Sequence, residues 1–142
     1  MAWTAAIEVS CREVTCVQIN CVTVDCADPR TVSAFWVEAL DWGAVHHDPE
    51  HDIAMIGPPD GGLFLEFVKV PESKERKNRL HLGCGVDSLD DLDPEIARLE
   101  GLGATVAWEE DFPPEVAVTY RNVVLRDPEG NEFCLAAGTL PD

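Results

Sequence analysis

Apolar and polar positions follow the same order in two halves of the chain, offset by about sixty residues, which is typical of a repeated module. In each half an apolar run leads to an Asp-Pro pair, at 28–29 and 93–94, and then to a helical pattern and a glycine turn. Each half also has a turn of proline, an acidic residue and glycine, at 59–61 and 128–130, before a strand-like segment. The pattern predicts two copies of one strand–helix–strands module, and two such modules commonly enclose a site between them.

The first half predicts one helix among four strands. Asp28 can cap the helix, and Pro29 suits its first turn, because the N–H that proline lacks would be unpaired there. Apolar side chains then recur at helical spacing and predict one buried stripe: Val32, Phe35, Trp36, Ala39 and Leu40. The strands are predicted over 17–25, 45–47, 53–56 and 63–70.

The second half predicts the same order of elements. Asp93 is expected to cap a helix over 94–102, and strands are predicted over 80–86, 104–108, 116–125 and 132–137. A strand, a helix and three strands, twice over, predict an α+β domain with the helices on one sheet face. The chain then divides into an N-terminal extension, a first module, a linker and a second module, at 1–16, 17–70, 71–78 and 79–138.

Composition excludes several classes of partner. The chain has 142 residues, 46% of them apolar, which fits one compact domain or two small modules sharing a core. Its net charge of −17 disfavours nucleic acid and anionic membrane surfaces, whose phosphates attract Lys and Arg. No apolar run approaches the roughly 20 residues of a membrane helix, and no secretory signal pattern begins the chain. We therefore expect a cytoplasmic protein.

Basic residues are concentrated in the linker region, which holds five of the ten: Lys69, Lys74, Arg76, Lys77 and Arg79. They form either a solvated crossover or an anchor for an anionic substrate at the mouth of a pocket. The six cysteines have no disulfide framework or common zinc spacing, and we interpret them mainly as small buried residues in a reducing compartment.

Three motifs carry a family resemblance: Asp25-Cys26-Ala27-Asp28-Pro29 with Ala34-Phe35-Trp36 and Leu40, then Lys77-Asn78-Arg79-Leu80-His81-Leu82, then Asp127-Pro128-Glu129-Gly130-Asn131-Glu132-Phe133. Together, over roughly residues 17–138, they resemble the vicinal oxygen chelate superfamily, which includes glyoxalase, bleomycin-resistance proteins and extradiol dioxygenases. Within it the chain is most similar to glyoxalase-like bacterial proteins. The resemblance implies two βαβββ modules with pseudo-twofold symmetry, forming a curled mixed sheet around a cavity with the helices on the outer face.

The resemblance also implies where a metal would be held, because in metal-using members four side chains meet in the cavity. The matching positions here are Cys21, Glu66, His81 and Cys134. This set is chemically acceptable for zinc, but it is not the set that glyoxalase or the iron dioxygenases use. We expect no cofactor, with a divalent metal, zinc or another, as the alternative.

Strand alternation supports a cavity face independently of the family. It puts polar or small residues opposite apolar ones on each strand, so that Glu66 opposes Leu65 and Phe67, and His81 opposes Leu82. His81 and Glu66 are the candidate catalytic pair, because a His–Glu pair can move a proton without metal. The predicted ligand-binding residues are Cys21, Thr23, Asp25, Gly83, Trp108, Tyr120, Glu132 and Cys134.

Three functions remain open at this stage. The first is a metal-independent enzyme or binding protein for an unknown small molecule, with a cavity centred on His81. The second is a metal-dependent lyase, isomerase or dioxygenase, and the third is a sequestering module without chemistry. Because two chains often pair in this superfamily, we also expect a homodimer, with Trp3, Ile7 and Val9 available for burial.

Overall fold

The computed structural model describes residues 17–140. The first half contains β1 (Cys21–Cys26), α1 (Pro29–Leu40), β2 (Ala44–Asp48), β3 (Ile53–Gly57) and β4 (Phe64–Lys69). The second half contains β5 (Gly83–Gly85), α2 (Leu89–Leu102), β6 (Thr105–Glu109), α3 (Pro114–Ala117), β7 (Tyr120–Arg126) and β8 (Glu132–Gly138). The N-terminal extension, with Trp3, Ile7, Val9 and two of the cysteines, lies outside the described residues.

The two halves share one topology. The strand order is β1-β4-β3-β2 in the first sheet and β5-β8-β7-β6 in the second. The first strand of each half runs parallel to the last, and the other neighbours are antiparallel. This α+β fold of two βαβββ modules confirms the predicted fold class, as two four-stranded mixed sheets that do not close. No helix in residues 17–140 is long and apolar enough to cross a membrane.

Helix α1 begins where the sequence predicts. The Asp28 side chain accepts hydrogen bonds from the backbone N–H groups of Arg30 and Thr31, and Pro29 follows in the first turn. These bonds satisfy N–H groups that have no partner within the helix. The helix ends at Leu40, and its C-cap, Asp41, has a left-handed backbone at φ 53°.

One core joins the two modules. Phe67 and Phe133 are fully buried in the same apolar cluster, and each such burial contributes about 1.5–3 kcal/mol. From α1, the Trp36 ring meets Phe133 of β8 edge-on at 4.9 Å between centroids. Trp36 Nε1 also donates to Asp127 Oδ2 at 3.1 Å, so the first helix is tied to the second sheet.

Three predicted boundaries in the second half are wrong. Helix α2 begins at Leu89 with Ser88 as its N-cap, so Pro94 lies inside the helix rather than at its start. Leu92 of the added turn is fully buried, and burying it favours helix there despite the N–H that Pro94 lacks. Apolar burial therefore decided this boundary rather than the Asp-Pro pair.

The other two corrections concern strands. The segment 116–125 contains the short helix α3 and a strand that begins only at Tyr120. The backbone approaches closely here, since a Cβ on Gly138, at φ +90°, would collide with the Thr119 carbonyl. The segment 80–86 forms a strand only over Gly83–Gly85.

Candidate functional site

Each sheet has a helix-covered face and an opposite face, which we call the open face. Leu65 and Phe67 belong to the core cluster under the helices, and Val22 and Val24 are partly buried and pack against it. Their neighbours along the strands point the other way, because side chains alternate between the two faces of a sheet. The open face of the first sheet therefore carries Cys21, Thr23, Asp25 and Glu66.

A row of mostly polar side chains crosses the open face of the first sheet. Thr23 and Glu66 are register partners, and Thr23 Oγ1 donates to Glu66 Oε2 at 2.7 Å. Cys21 Sγ lies 3.7 Å from Thr23 Oγ1. Met55 pairs with Glu66 and His46 pairs with Met55, so the row continues to the edge strand. A half-buried carboxylate is thus held by a hydroxyl beside an apolar side chain.

The matching row of the second sheet has different chemistry. Gly83 pairs with Cys134, Cys134 with Val124, and Val124 with Trp108. A Cβ on Gly83 would lie 3.5 Å from Cys134 Sγ, so these two residues are neighbours. Thr23 and Glu66 of the first sheet correspond by strand pairing to Gly83 and Cys134, which provide no hydroxyl–carboxylate pair.

His81 is exposed and lies before β5, while the next residue, Leu82, packs against the core. The Leu82 carbonyl accepts a hydrogen bond from the Cys134 backbone N–H at 2.9 Å, which ties this segment to β8. The catalytic role predicted for His81 and Glu66 stays a prediction.

The four candidate metal ligands do not form a metal-binding cluster. Among residues 17–140, no three His, Cys, Asp or Glu side chains come together in a way that could hold a metal ion. Glu66 already accepts a hydrogen bond from Thr23, and the second sheet presents Gly83 where the first has Thr23. The residues present therefore do not fit the four-ligand site implied by the superfamily.

Three cavities lie away from the Glu66 row, and neither Glu66 nor His81 lines any of them. The largest, about 670 Å³, lies between the modules and includes Asp25, Lys74 and Glu129. A second, about 400 Å³, lies over the second sheet and includes Trp108 and Glu132. The third, about 240 Å³, lies at the start of α1. Of the predicted ligand-binding residues, Asp25, Trp108 and Glu132 therefore line cavities, whereas Tyr120 packs edge-on against Phe112 at 5.2 Å between ring centroids.

Glu132 has partners that the sequence did not indicate. Its Oε2 accepts from the Asn78 backbone N–H and from Lys74 Nζ, both at 2.9 Å, and Arg126 Nε lies 3.6 Å from its Oε1. Burial raises the pKa of Glu132, but the Asn78 and Lys74 bonds outweigh that effect and lower it to about 2. Clustering of basic residues at 69–79 was the signal that could have identified Lys74.

Two thiols are poor nucleophiles. Burial, assisted by Glu129 and other nearby carboxylates, raises the pKa of Cys26 to about 12. Burial beside Cys134 raises the pKa of Cys84 to about 11. With pKa values this high, both thiols are protonated near neutral pH. They are therefore poor nucleophiles, because the thiolate is the reactive form of cysteine.

Comparison with solved structures shows the same fold in proteins of low sequence identity. One is an enzyme of the glyoxalase/bleomycin resistance protein/dioxygenase family from Burkholderia phytofirmans PsJN. It is 17% identical, with a TM-score of 0.68, and the alignment covers 87% of this chain and 100% of that chain. The fosfomycin resistance protein FosX from Listeria monocytogenes, solved with Mn(II) and 1S,2S-dihydroxypropylphosphonic acid, is 18% identical, with a TM-score of 0.67 and coverage of 87% and 91%. Oxidase ChaP-H2 is 21% identical, with a TM-score of 0.61 and coverage of 89% and 97%.

At the level of sequence, a comparison with curated proteins finds no match. The model of the glyoxalase-like domain matches residues 21–136, which is most of the chain. Together with the fold, this match confirms the resemblance predicted from the three motifs. The chain belongs to the glyoxalase-like family, within the vicinal oxygen chelate superfamily.

Proposed function

We propose that this protein binds a small organic molecule on the open face of the first sheet, without a metal, through the Glu66 carboxylate. The observation that carries the proposal is the 2.7 Å hydrogen bond from Thr23 to Glu66 Oε2. A carboxylate oriented by a neighbouring hydroxyl is pre-organised to accept a further hydrogen bond. The ligand we infer therefore has a hydroxyl or amine donor.

The surroundings of Glu66 support an apolar body for that ligand. Met55 lies beside Glu66 in the register, and Phe64 precedes it by two positions on the same face. Both side chains are half-buried, so they can contact a ligand. Small-molecule sites commonly combine such apolar walls with a few polar groups that fix orientation.

Proton transfer by Glu66 is a second candidate function. The same Thr23 contact that orients the carboxylate for binding would orient it to remove a proton from a bound ligand. In this reading Glu66 acts as the base, and exposed His81 would assist from the second module. The two functions are separated by whether a ligand that binds is also consumed.

Binding is tested by a thermal-shift screen of alcohols, 1,2-diols and amines of graded apolar size, with each hit titrated by calorimetry. Glu66→Gln should weaken a hit by about 10–100-fold, because it removes a charged acceptor. Thr23→Val should weaken it less, because the carboxylate remains. Glu50→Gln, at an exposed turn position, is the matched control and should leave affinity unchanged. Hits that bind Glu66→Gln as tightly as the natural protein would refute the proposal.

Metal independence is tested separately, by elemental analysis of protein purified without a metal-affinity step. We expect less than one metal ion per ten chains and no change in melting temperature with a chelator. The reason is that the four superfamily positions do not converge as ligands. Stoichiometric zinc, or a fall in melting temperature with chelator, would contradict this, because a structural metal contributes to folding free energy.

A further inference from the structure

We propose that the cavity over the second sheet binds an aromatic ring bearing an anionic group. We call it the linker cavity and define it by Lys74, Arg76, Lys77, Trp108 and Arg126. It lies on the second sheet, whereas Glu66 lies on the first. Its ligand would carry an anionic group, whereas the ligand of Glu66 would carry a hydroxyl or amine donor. The inference goes beyond the proposed function and does not depend on it.

The linker is held in place over the second sheet by Glu132. This side chain is only 6% exposed and accepts hydrogen bonds from Lys74 Nζ and from the Asn78 backbone N–H, both at 2.9 Å. Lys74 Nζ also donates to the Arg76 carbonyl. These contacts bracket Arg76 and Lys77 on both sides, so both residues are presented at one place on the sheet.

Two of the four basic side chains that line the cavity form no ion pair in the described part of the chain. Within residues 17–140, neither Arg76 nor Lys77 forms an ion pair, although the chain carries 27 acidic residues. Three acidic side chains also line the cavity, Glu75, Glu129 and Glu132, and the last two are already engaged. Glu132 binds Lys74, and Glu129 accepts from the Ala27 and Asp28 backbone N–H groups at 2.9 and 3.0 Å. An anionic ligand would supply the missing counter-charge.

Trp108 supplies a flat apolar wall. Its Nε1 donates to Glu110 Oε1 at 2.8 Å, which fixes the orientation of the ring. Lys77 Nζ lies 4.6 Å from the ring centroid, a cation–π contact that holds the ammonium at the cavity. A ligand ring can pack against the part of the indole that the Lys77 ammonium leaves free, while its anionic group pairs with Arg76 and Lys77. The volume of about 400 Å³ suits a ligand of one or two rings.

The probe is 1-naphthyl phosphate, titrated by calorimetry into the full chain at low salt. Its matched counterparts are 1-naphthol, which lacks the charge, and inorganic phosphate, which lacks the ring. We expect naphthyl phosphate to bind at least tenfold more tightly than either, and added salt to weaken it. Equal binding of naphthol and naphthyl phosphate would overturn the proposal.

Variants locate the binding. Lys77→Gln and Arg76→Gln should each weaken the binding of naphthyl phosphate about tenfold. Trp108→Leu should make naphthyl phosphate bind no more tightly than inorganic phosphate. Arg30→Gln, an exposed arginine on α1, is the matched control and should bind as the natural protein does. Glu66→Gln should also be unaffected, which separates this test from that of the proposed function. A loss in Arg30→Gln equal to that in Lys77→Gln would refute the site.

Discussion

At the residue scale, Glu132 shows how a buried charge can stabilise this fold. It is almost wholly buried, which alone would favour its neutral form. Lys74 and the Asn78 backbone N–H compensate the carboxylate, and together they lower its pKa to about 2 from an ordinary value of 4.5. A folded-state pKa below the unfolded value means that Glu132 contributes stability above about pH 4.5 and loses that contribution as the pH falls toward 2.

Glu132→Gln should therefore reduce the free energy of unfolding near neutral pH by about 2 kcal/mol, since a charged hydrogen-bond acceptor is lost. The deficit should shrink as the pH falls from about 4.5 toward about 2, because the natural protein loses the same contribution there. Denaturant titrations at several pH values measure both. Glu75→Gln, on the exposed part of the linker, is the control and should differ little. A deficit that is the same at every pH would contradict this account of Glu132.

At the element scale, the two long helices begin in different ways. The α1 N-cap, Asp28, accepts from the backbone N–H groups of Arg30 and Thr31 and from Thr31 Oγ1. The α2 N-cap, Ser88, makes no side-chain bond to the helix backbone and donates instead to Asp91 Oδ2 at 2.6 Å. The first helix therefore depends on its cap, whereas the second relies on the burial of Leu92.

Asp28→Ala should lower the melting temperature more than Ser88→Ala does. The first substitution leaves two N–H groups of α1 without their acceptor, and the second removes no bond to an N–H group. Differential scanning calorimetry of the two variants gives the comparison directly. Equal shifts, or a larger shift for Ser88→Ala, would show that the cap bonds of α1 do not contribute as described.

At the scale of the whole molecule, the modules are not independent. The Phe35 and Trp36 rings of α1 pack against Phe133 of the second sheet. Arg98 of α2 donates to the carbonyls of Glu38 and Ala39 at 3.1 and 2.9 Å, at the end of α1. Because each module completes the core of the other, we expect the described part of the chain to unfold as one unit.

A homodimer remains our prediction for the assembled protein. The sheets do not close, and several large apolar side chains in residues 17–140 are exposed: Val17, Ile19, Leu63, Leu80, Val106, Val118 and Leu140. Such side chains are commonly covered by a partner when they are contiguous. Light scattering should give twice the 15.6 kDa mass of the chain. A mass near 15.6 kDa at micromolar concentration would contradict the prediction.

Local and periodic features of this protein were determined by the sequence itself. The repeat predicted the shared strand order, and alternation predicted that Leu65 and Phe67 would face the core. The start of α1 at Pro29 was also predictable, since capping involves residues adjacent in the chain. The α2 boundary was not, because it depended on whether Leu92 would be buried by elements far along the chain.

Only the tertiary structure decided which polar groups meet. The partners Thr23 and Glu66 are 43 residues apart, and Asn78 and Glu132 are 54 apart. Their contact follows from strand register and from the path of the linker, neither of which leaves a local signal in the sequence. The same holds for the contact between Lys77 and Trp108, which places the charged linker beside the second sheet, where both residues line one cavity. Side-chain type and face could be read from the chain, but the partner of each charge required the folded sheets.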